Sequence, residues 1–212
     1  IEKISKKKNK YKVDLIINKE KYKFYNQTNI FHRIINIVFC FALFKFNKID
    51  QKIILENIDE LKPVDGRGLI YEKKINGVNI KFIDETYNAN PDTMIQSIKY
   101  FDLMQSKGFD KILILGNMNE LGKKSKQFHI EILQFVENFN FHSVILCGNF
   151  FQIAVKKLIK PFNTYIIKND ENDIVNHINH NLHNNAMILA KCSNSTSVNK
   201  FGIKLINMKE NK

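Results

Sequence analysis

From about residue 68 onward, apolar residues gather in short continuous runs, separated by longer stretches in which they recur every three or four positions. Val78 to Ile83, Lys111 to Leu115, Ser143 to Cys147, Thr164 to Ile167 and Ala186 to Lys191 read as strands. Pro91 to Met104, Ser125 to Phe139, Phe150 to Ile159, Asp170 to Leu182 and Ser195 to Met208 read as helices. Strands continuous in Ile, Leu and Val that alternate with helices predict an α/β fold, a mostly parallel sheet with helices on both faces. In such sheets ligands bind beyond the carboxyl ends of the strands, here after Ile83, Leu115, Cys147 and Lys191. Before that region the pattern differs. Lys12 to Ile17 and Lys21 to Phe24 read as short strands around the polar "NKEK", Phe31 to Phe46 as a helix dense enough in apolar residues to be nearly all buried, and Gln51 to Leu61 as a second helix with Ile53, Ile54, Ile58 and Leu61 on one face. The turn-rich "KPVDGRG" places a domain boundary near residue 67, giving domains 1–67 and 68–212.

Composition changes this picture little. The chain has 212 residues, 44% hydrophobic and 25% charged, which suits one or two globular domains. The longest apolar run, Ile34 to Phe44, is eleven residues, short of the roughly 20 that a bilayer demands. Cys40, Cys147 and Cys192 are odd in number and widely spaced, which favours reduced thiols and a cytoplasmic setting. The net charge of +12 invites a nucleic-acid reading, but it is dispersed apart from "KKKNK", and only Arg33 and Arg67 among the 33 basic residues are Arg. No nucleic-acid partner is therefore expected.

Two motifs imitate ligand sites. In "ILILGNMNELGKKS" five residues separate Gly116 from Gly122 and Lys124 precedes Ser125, so it is not a phosphate-cradling loop; Ser125 reads as a helix N-cap and Glu120 as an acid at the sheet's carboxyl edge. His177, His180 and His183 fan around a helix too widely to share a metal, and read as a solvated face opposite Ile174, Val175, Ile178 and Leu182. "IDETYNANPDTM" is different. Asn90 and Pro91 suit a helix start, which leaves Asp84 and Glu85 at a strand end, beside Tyr87 and Asn88, as groups suited to ribose and adenine.

With its neighbours that stretch resembles the Mur ligase family. "FIDETYNANPDTM" is similar to DDSYNANPDSM of the branch that adds D-alanyl-D-alanine, "HRIIN" to HNVxN, "PVDGRG" to P-x-x-GRG, "ILGNMNELGKKSKQFH" to LGDMxELGxxSxxxH, and "ILAKCSNS" to vLvKGSRS. The resemblance implies that residues 1–67 are the tail of a central α/β ATPase domain, and that 68–212 form a Rossmann-like C-terminal domain. It implies ATP and Mg²⁺ as cofactors, UDP-N-acetylmuramoyl-tripeptide and D-alanyl-D-alanine as substrates, a monomer without membrane insertion, and a cytoplasmic step of peptidoglycan synthesis. Asn36 would approach the adenine, Arg67 and Asp84 the ribose and phosphates, and Asn88 would flank the base. Asn117, Glu120, Lys191 and Ser193 would lie on the side of the incoming amino acid. In a chain so rich in Lys, an Arg in a Gly-flanked turn points independently to a need for the planar guanidinium. Glu85, Asn117, Cys192 and Asn194 depart from the family's Asp, Asp, Gly and Arg. The family's phosphate-binding loop and metal acids would precede residue 1, so the chain reads as a portion that does not ligate alone. A ligase for another amino acid, or a non-catalytic nucleotide-binding or docking module, are the alternatives.

Overall fold

The computed structural model describes residues 1–7, 10–26, 31–58, 63–158, 161 and 163–208. The chain divides into two compact units, Ile1–Lys62 and Pro63–Lys212. The division falls before the "PVDGRG" turn rather than after Arg67, because Gly66 and Gly68 hydrogen-bond to Asp84 of the second unit.

In the first unit β1 (Lys3–Lys7), β2 (Lys10–Ile17) and β3 (Glu20–Asn26) form an antiparallel sheet, followed by α1 (Phe31–Phe46) and α2 (Gln51–Ile58). Asn18 and Lys19 both have positive φ, 49° and 68°, the combination that lets a two-residue hairpin follow the twist of its strands. Alternation then sends Val13 and Leu15 of β2, paired with Phe24 and Tyr22 of β3, into a core closed by Ile34, Phe41 and Ile54. The expectation that α1 is nearly all buried is corrected here. Phe39 is 71% exposed, Leu43 50% and Phe46 84%. A three-stranded sheet covers one stripe of a helix, and the density of apolar residues says nothing of how much cover exists. Residue Leu61 and the side chains of His32 and Ile58 lie outside the described residues. Among the described residues no helix is long and apolar enough to cross a membrane.

The second unit holds a six-stranded sheet in the order β4-β5-β9-β6-β7-β8. Its strands are β4 (Leu69–Ile75), β5 (Val78–Glu85), β6 (Asp110–Gly116), β7 (Ser143–Cys147), β8 (Tyr165–Lys168) and β9 (Ala186–Lys191). All neighbours from β5 to β8 are parallel, and only β4 runs antiparallel. Sequence reading missed β4 because, as an edge strand, it alternates exposed and covered positions with Glu72, Lys73 and Lys74 among them.

Helices α3 (Pro91–Leu103), α4 (Ser125–Val136), α5 (Asn149–Val155), α6 (Glu171–Asn181) and α7 (Ser197–Asn207) cover both faces. Leu113, Leu115, Val144 and Leu189 join the core under α3, α4 and α5, while Ile112, Ile114, Ile145 and Ile188 join the one under α6 and α7. Successive residues of one strand thus enter opposite cores, which is why these runs are continuously apolar. The chain passes from β5 through α3 to β6, and β9 later fills the place between them. Three loops therefore meet at one carboxyl edge, the setting where parallel sheets bind ligands.

Ser125 is not an N-cap. A single 3₁₀ turn, Gly122–Lys124, leads directly into α4, and the Ser125 hydroxyl donates to the Gly122 carbonyl at 2.8 Å. His180 on α6 and His183 just beyond it are exposed and His177 is half-buried, while Ile174 and Ile178 of the same segment are buried.

The sheet centre carries the stability. Ile114→Ala, at a position with no exposure, is expected to lower unfolding free energy by about 2–5 kcal/mol. Ile70→Ala, half exposed on β4, is expected to change it by no more than about 0.5 kcal/mol. Urea denaturation of both variants measures the contrast.

Candidate functional site

Strand register decides which side chains meet at the shared edge. Asp84 pairs with Ala190 and Glu85 with Lys191 across β5 and β9, while Leu115 of β6 pairs with Lys191 from the other side. Consecutive strand residues face opposite ways. Asp84 therefore turns to one face and Glu85 to the other, toward α3.

Asp84 is 4% exposed and its carboxylate is fully engaged. Oδ2 accepts the Gly66 N–H at 3.0 Å, and Oδ1 accepts the N–H of Thr86 at 3.1 Å and its hydroxyl at 2.7 Å. The Gly66 carbonyl accepts the Tyr87 N–H at 3.1 Å. Gly66 has φ +70°, and a Cβ there would fall 2.7 Å from the Tyr87 Cβ, so the glycine is required by both conformation and contact. The outcome is an exposed Arg67 guanidinium 4.4 Å from the centroid of the half-exposed Tyr87 ring, a cation–π geometry. Asn88, beside it, is exposed.

On the other face, Lys191 is 4% exposed. Its ammonium donates to Glu85 Oε2 at 3.0 Å and to the Asn88 carbonyl at 3.2 Å, and Ser97 of α3 donates to the same Glu85 oxygen at 2.5 Å. Ser193, 5% exposed, joins three loops. Its hydroxyl accepts the Asn119 N–H at 2.9 Å and donates to the Ala89 carbonyl at 3.4 Å, and its own N–H donates to the Asn117 carbonyl at 3.0 Å. Asn117 Nδ2 donates to Asn149 Oδ1 at 2.8 Å, whereas its Oδ1 is buried and has no partner among the described residues. Glu120 is exposed with φ +63°.

The residues expected to face ligand thus divide. Asp84, Lys191 and Ser193 are buried and spend their polar groups on the loops themselves. Arg67, Asn88 and Glu120 are exposed around the same edge, as is Asn194, whose N–H donates to the Tyr87 carbonyl at 3.1 Å. Asn36 is exposed on α1 of the first unit. Asn90 caps α3: its Oδ1 accepts the Thr93 N–H at 2.9 Å while the Thr93 hydroxyl accepts the Asn90 N–H at 3.1 Å. Sequence reading missed Ser97, a polar residue on the buried stripe of α3 with Met94 and Ile98, where burial alone demands a partner. It also missed Thr86, and His129, the last residue of a matched motif.

Burial pushes the Cys192 thiol up to about 12 and that of Cys147 up to about 11, so both are poor nucleophiles. Among the described residues no group of three or more His, Cys, Asp or Glu is placed to hold a metal ion. In the second unit an open hollow around Lys73, Lys81 and Phe109 lies away from this edge; in the first unit another is lined by Asp50, Lys52, Leu55 and Glu56.

This edge, with its loops stitched by buried polar groups, closes an α/β domain of the class that binds ligands beyond its parallel strands. Residues 66–194 match the family described as "Mur ligase, glutamate ligase domain", and the chain belongs to the Mur ligase family. The UDP-N-acetylmuramoyl-tripeptide–D-alanyl-D-alanine ligase of Rickettsia prowazekii is 28% identical over 151 residues, which are 71% of this chain and 32% of the relative. The ligase of the same name from Haemophilus influenzae is 38% identical over 73 residues, 34% of this chain and 15% of that one. In fold, MurF from Acinetobacter baumannii matches 98% of this chain and 45% of its own at a TM-score of 0.80 and 18% identity. MurF from Thermotoga maritima, solved in complex with ADP, matches 97% and 45% at 0.72 and 19% identity. The chain spans about a third of the Rickettsia relative and under half of these solved chains.

The Lys191–Glu85 pair is 5% and 6% exposed, so removing one member strands a buried charge. Glu85→Ala or Lys191→Met alone is expected to cost about 3–5 kcal/mol, and the double variant less than the sum. Denaturation of the three variants measures this cycle.

Proposed function

We propose that the chain forms part of an ATP-dependent, ADP-forming ligase that joins D-alanyl-D-alanine to UDP-N-acetylmuramoyl-tripeptide, a cytoplasmic step of peptidoglycan synthesis. The observation that carries this is the exposed Arg67–Tyr87 platform, held by Asp84 at the edge where three parallel strands end. A guanidinium stacked on a ring keeps its fork directed outward, ready for phosphate or ribose oxygens. Asn88 lies beside the platform, and Asn36 takes the adenine side in this reading. The names of the relatives support the choice of dipeptide.

Residues 1–62 belong to the tail of the central ATPase domain, and 63–212 form the C-terminal domain that presents the acceptor. The loop 117–120 and Asn194 stand on the acceptor side. Lys191 and Ser193 serve that side from within, by fixing loop geometry. The sequence of the chain holds no phosphate-cradling loop, so ligation requires the further segment that supplies one, and Mg²⁺ is expected with the nucleotide phosphates on residues of that segment.

Phosphate release by the ligase that contains this chain, given ATP and UDP-N-acetylmuramoyl-tripeptide, is expected with D-alanyl-D-alanine and not with single amino acids; the reverse preference would redirect the assignment within the family. Arg67→Ala, at an exposed position, is expected to raise KM for ATP about tenfold or more without moving the unfolding midpoint, and Arg67→Lys to recover little of it. Unchanged ATP kinetics would remove Arg67 from the nucleotide site. Asn194→Arg is expected to lower KM for the dipeptide by about tenfold or more, in line with about 1.5–3 kcal/mol for a charge-assisted hydrogen bond. Calorimetric titration of the dipeptide against both forms checks it.

A further inference from the structure

The loop between β6 and α4 reaches the carboxyl edge from two anchors. Ser193 holds the residues on either side of Met118, through the Asn117 carbonyl and the Asn119 N–H. Met118 itself is held by His129. The Met118 N–H donates to His129 Nε2 at 3.0 Å, and His129 Nδ1 lies 2.6 Å from the Ser125 carbonyl one turn earlier on α4. A backbone N–H only donates and a carbonyl only accepts, so the contacts define one ring state: neutral, with its proton on Nδ1. The ring has no exposure and stands among Phe150 and Phe151 at 5.0 and 4.7 Å between centroids.

We propose that His129 is a positioning residue for the acceptor-facing loop: its neutral imidazole accepts the Met118 N–H and so sets where Asn119 and Glu120 stand. The loop's acceptor role rests on the function proposed above; the positioning stands on geometry alone. No other described side chain holds the Met118 N–H, and Glu120, two residues on, carries the left-handed φ of +63° that turns the chain toward α4.

The arrangement has a pH dependence of defined sign. Burial lowers the His129 pKa from its ordinary value, with the Ser125 carbonyl opposing. The groups facing the ring are Met118 from the loop, Ser125 from α4, and Phe150 and Phe151 from α5; no charged side chain contributes to the shift among the described residues. A histidine held neutral contributes its contact fully above the unfolded value, near 6.5, and loses it as pH falls through the lower folded value. Protonation would set an Nε2–H against the Met118 N–H, two donors face to face.

Amide hydrogen exchange of the protein carrying this chain, read by mass spectrometry and corrected for intrinsic rate, tests the proposal with His129→Leu and His129→Gln. Leu keeps the bulk without an acceptor, whereas the Gln carbonyl can take the Met118 N–H. Expected are exchange of the 117–121 segment at least about tenfold faster in His129→Leu, unchanged protection of β7, and recovery in His129→Gln. The same loosening is expected in the unsubstituted protein as pH falls through the lowered folded pKa of His129, and absent from His129→Gln. In ligation assays KM for the acceptor rises several-fold in His129→Leu while KM for ATP stays within about twofold. Unchanged loop exchange, or loosening spread equally through β7, overturns the positioning role. A loosened loop with an unchanged acceptor KM leaves that role standing and overturns the acceptor assignment. Should His129→Leu fail to fold, the pH series with the Gln variant decides alone.

Discussion

A lysine that is 4% exposed has to be neutralised where it stands, and the Lys191 ammonium meets this constraint through Glu85 Oε2 at 3.0 Å. The attraction between two such charges is large only because water is excluded, and the same exclusion makes either charge costly alone. Glu85 and Lys191 are the last residues of adjacent parallel strands. Their pairing therefore determines where two loops begin. Ser97 carries the constraint into α3, and the Asn88 carbonyl carries it into the corner before that helix. Asp84 does the equivalent on the opposite face, where one carboxylate gathers three donors and fixes the turn that bears Arg67.

A two-layered edge follows. The inner layer, Asp84, Glu85, Lys191, Ser193 and His129, is buried and satisfies itself. The outer layer, Arg67, Tyr87, Asn88, Glu120 and Asn194, is exposed at the carboxyl edge of the sheet. The departures from the family's motifs can be sorted by layer. Cys192 lies against Gly116, where a Cβ would fall 2.7 Å from the Cys192 Cβ, so the bulk that replaces a glycine is absorbed by a glycine opposite. Glu85 is likewise absorbed, by Lys191 and Ser97. Asn194 is exposed, where its Oδ1 accepts the Ser195 N–H at 2.7 Å, so this departure does not burden the fold.

Much of the second unit was legible in the chain. Runs of Ile, Leu and Val marked the central strands because both sheet faces are covered, and Asn90-Pro91 marked the start of α3 because a cap and a proline satisfy its first turn locally. The edge strand β4 was not legible, since half-exposed strands mix charged and apolar residues as loops do. Nor was the exposure of α1, where composition measured apolar content but not the area available to cover it. The motifs located the candidate site, yet nothing in them showed that Lys191, Ser193 and Asp84 are buried and hydrogen-bonded to the loops around them. A sequence motif does not distinguish a side chain that touches a ligand from one that holds the loop beneath it.

The sequence by itself determined the class of fold, the edge at which chemistry collects and the residue types present there, because periodicity, caps and turns are local properties of the chain. Tertiary structure alone decided which of those residues face inward. Whether Asp84 or Glu85 turns to α3, and whether the Lys191 ammonium reaches water or Glu85, depend on strand register and on partners far away in sequence. Ser193 and Asn119 are 74 residues apart, and Lys191 and Glu85 are 106. Hydrogen bonds across such separations exist only once the sheet has assembled.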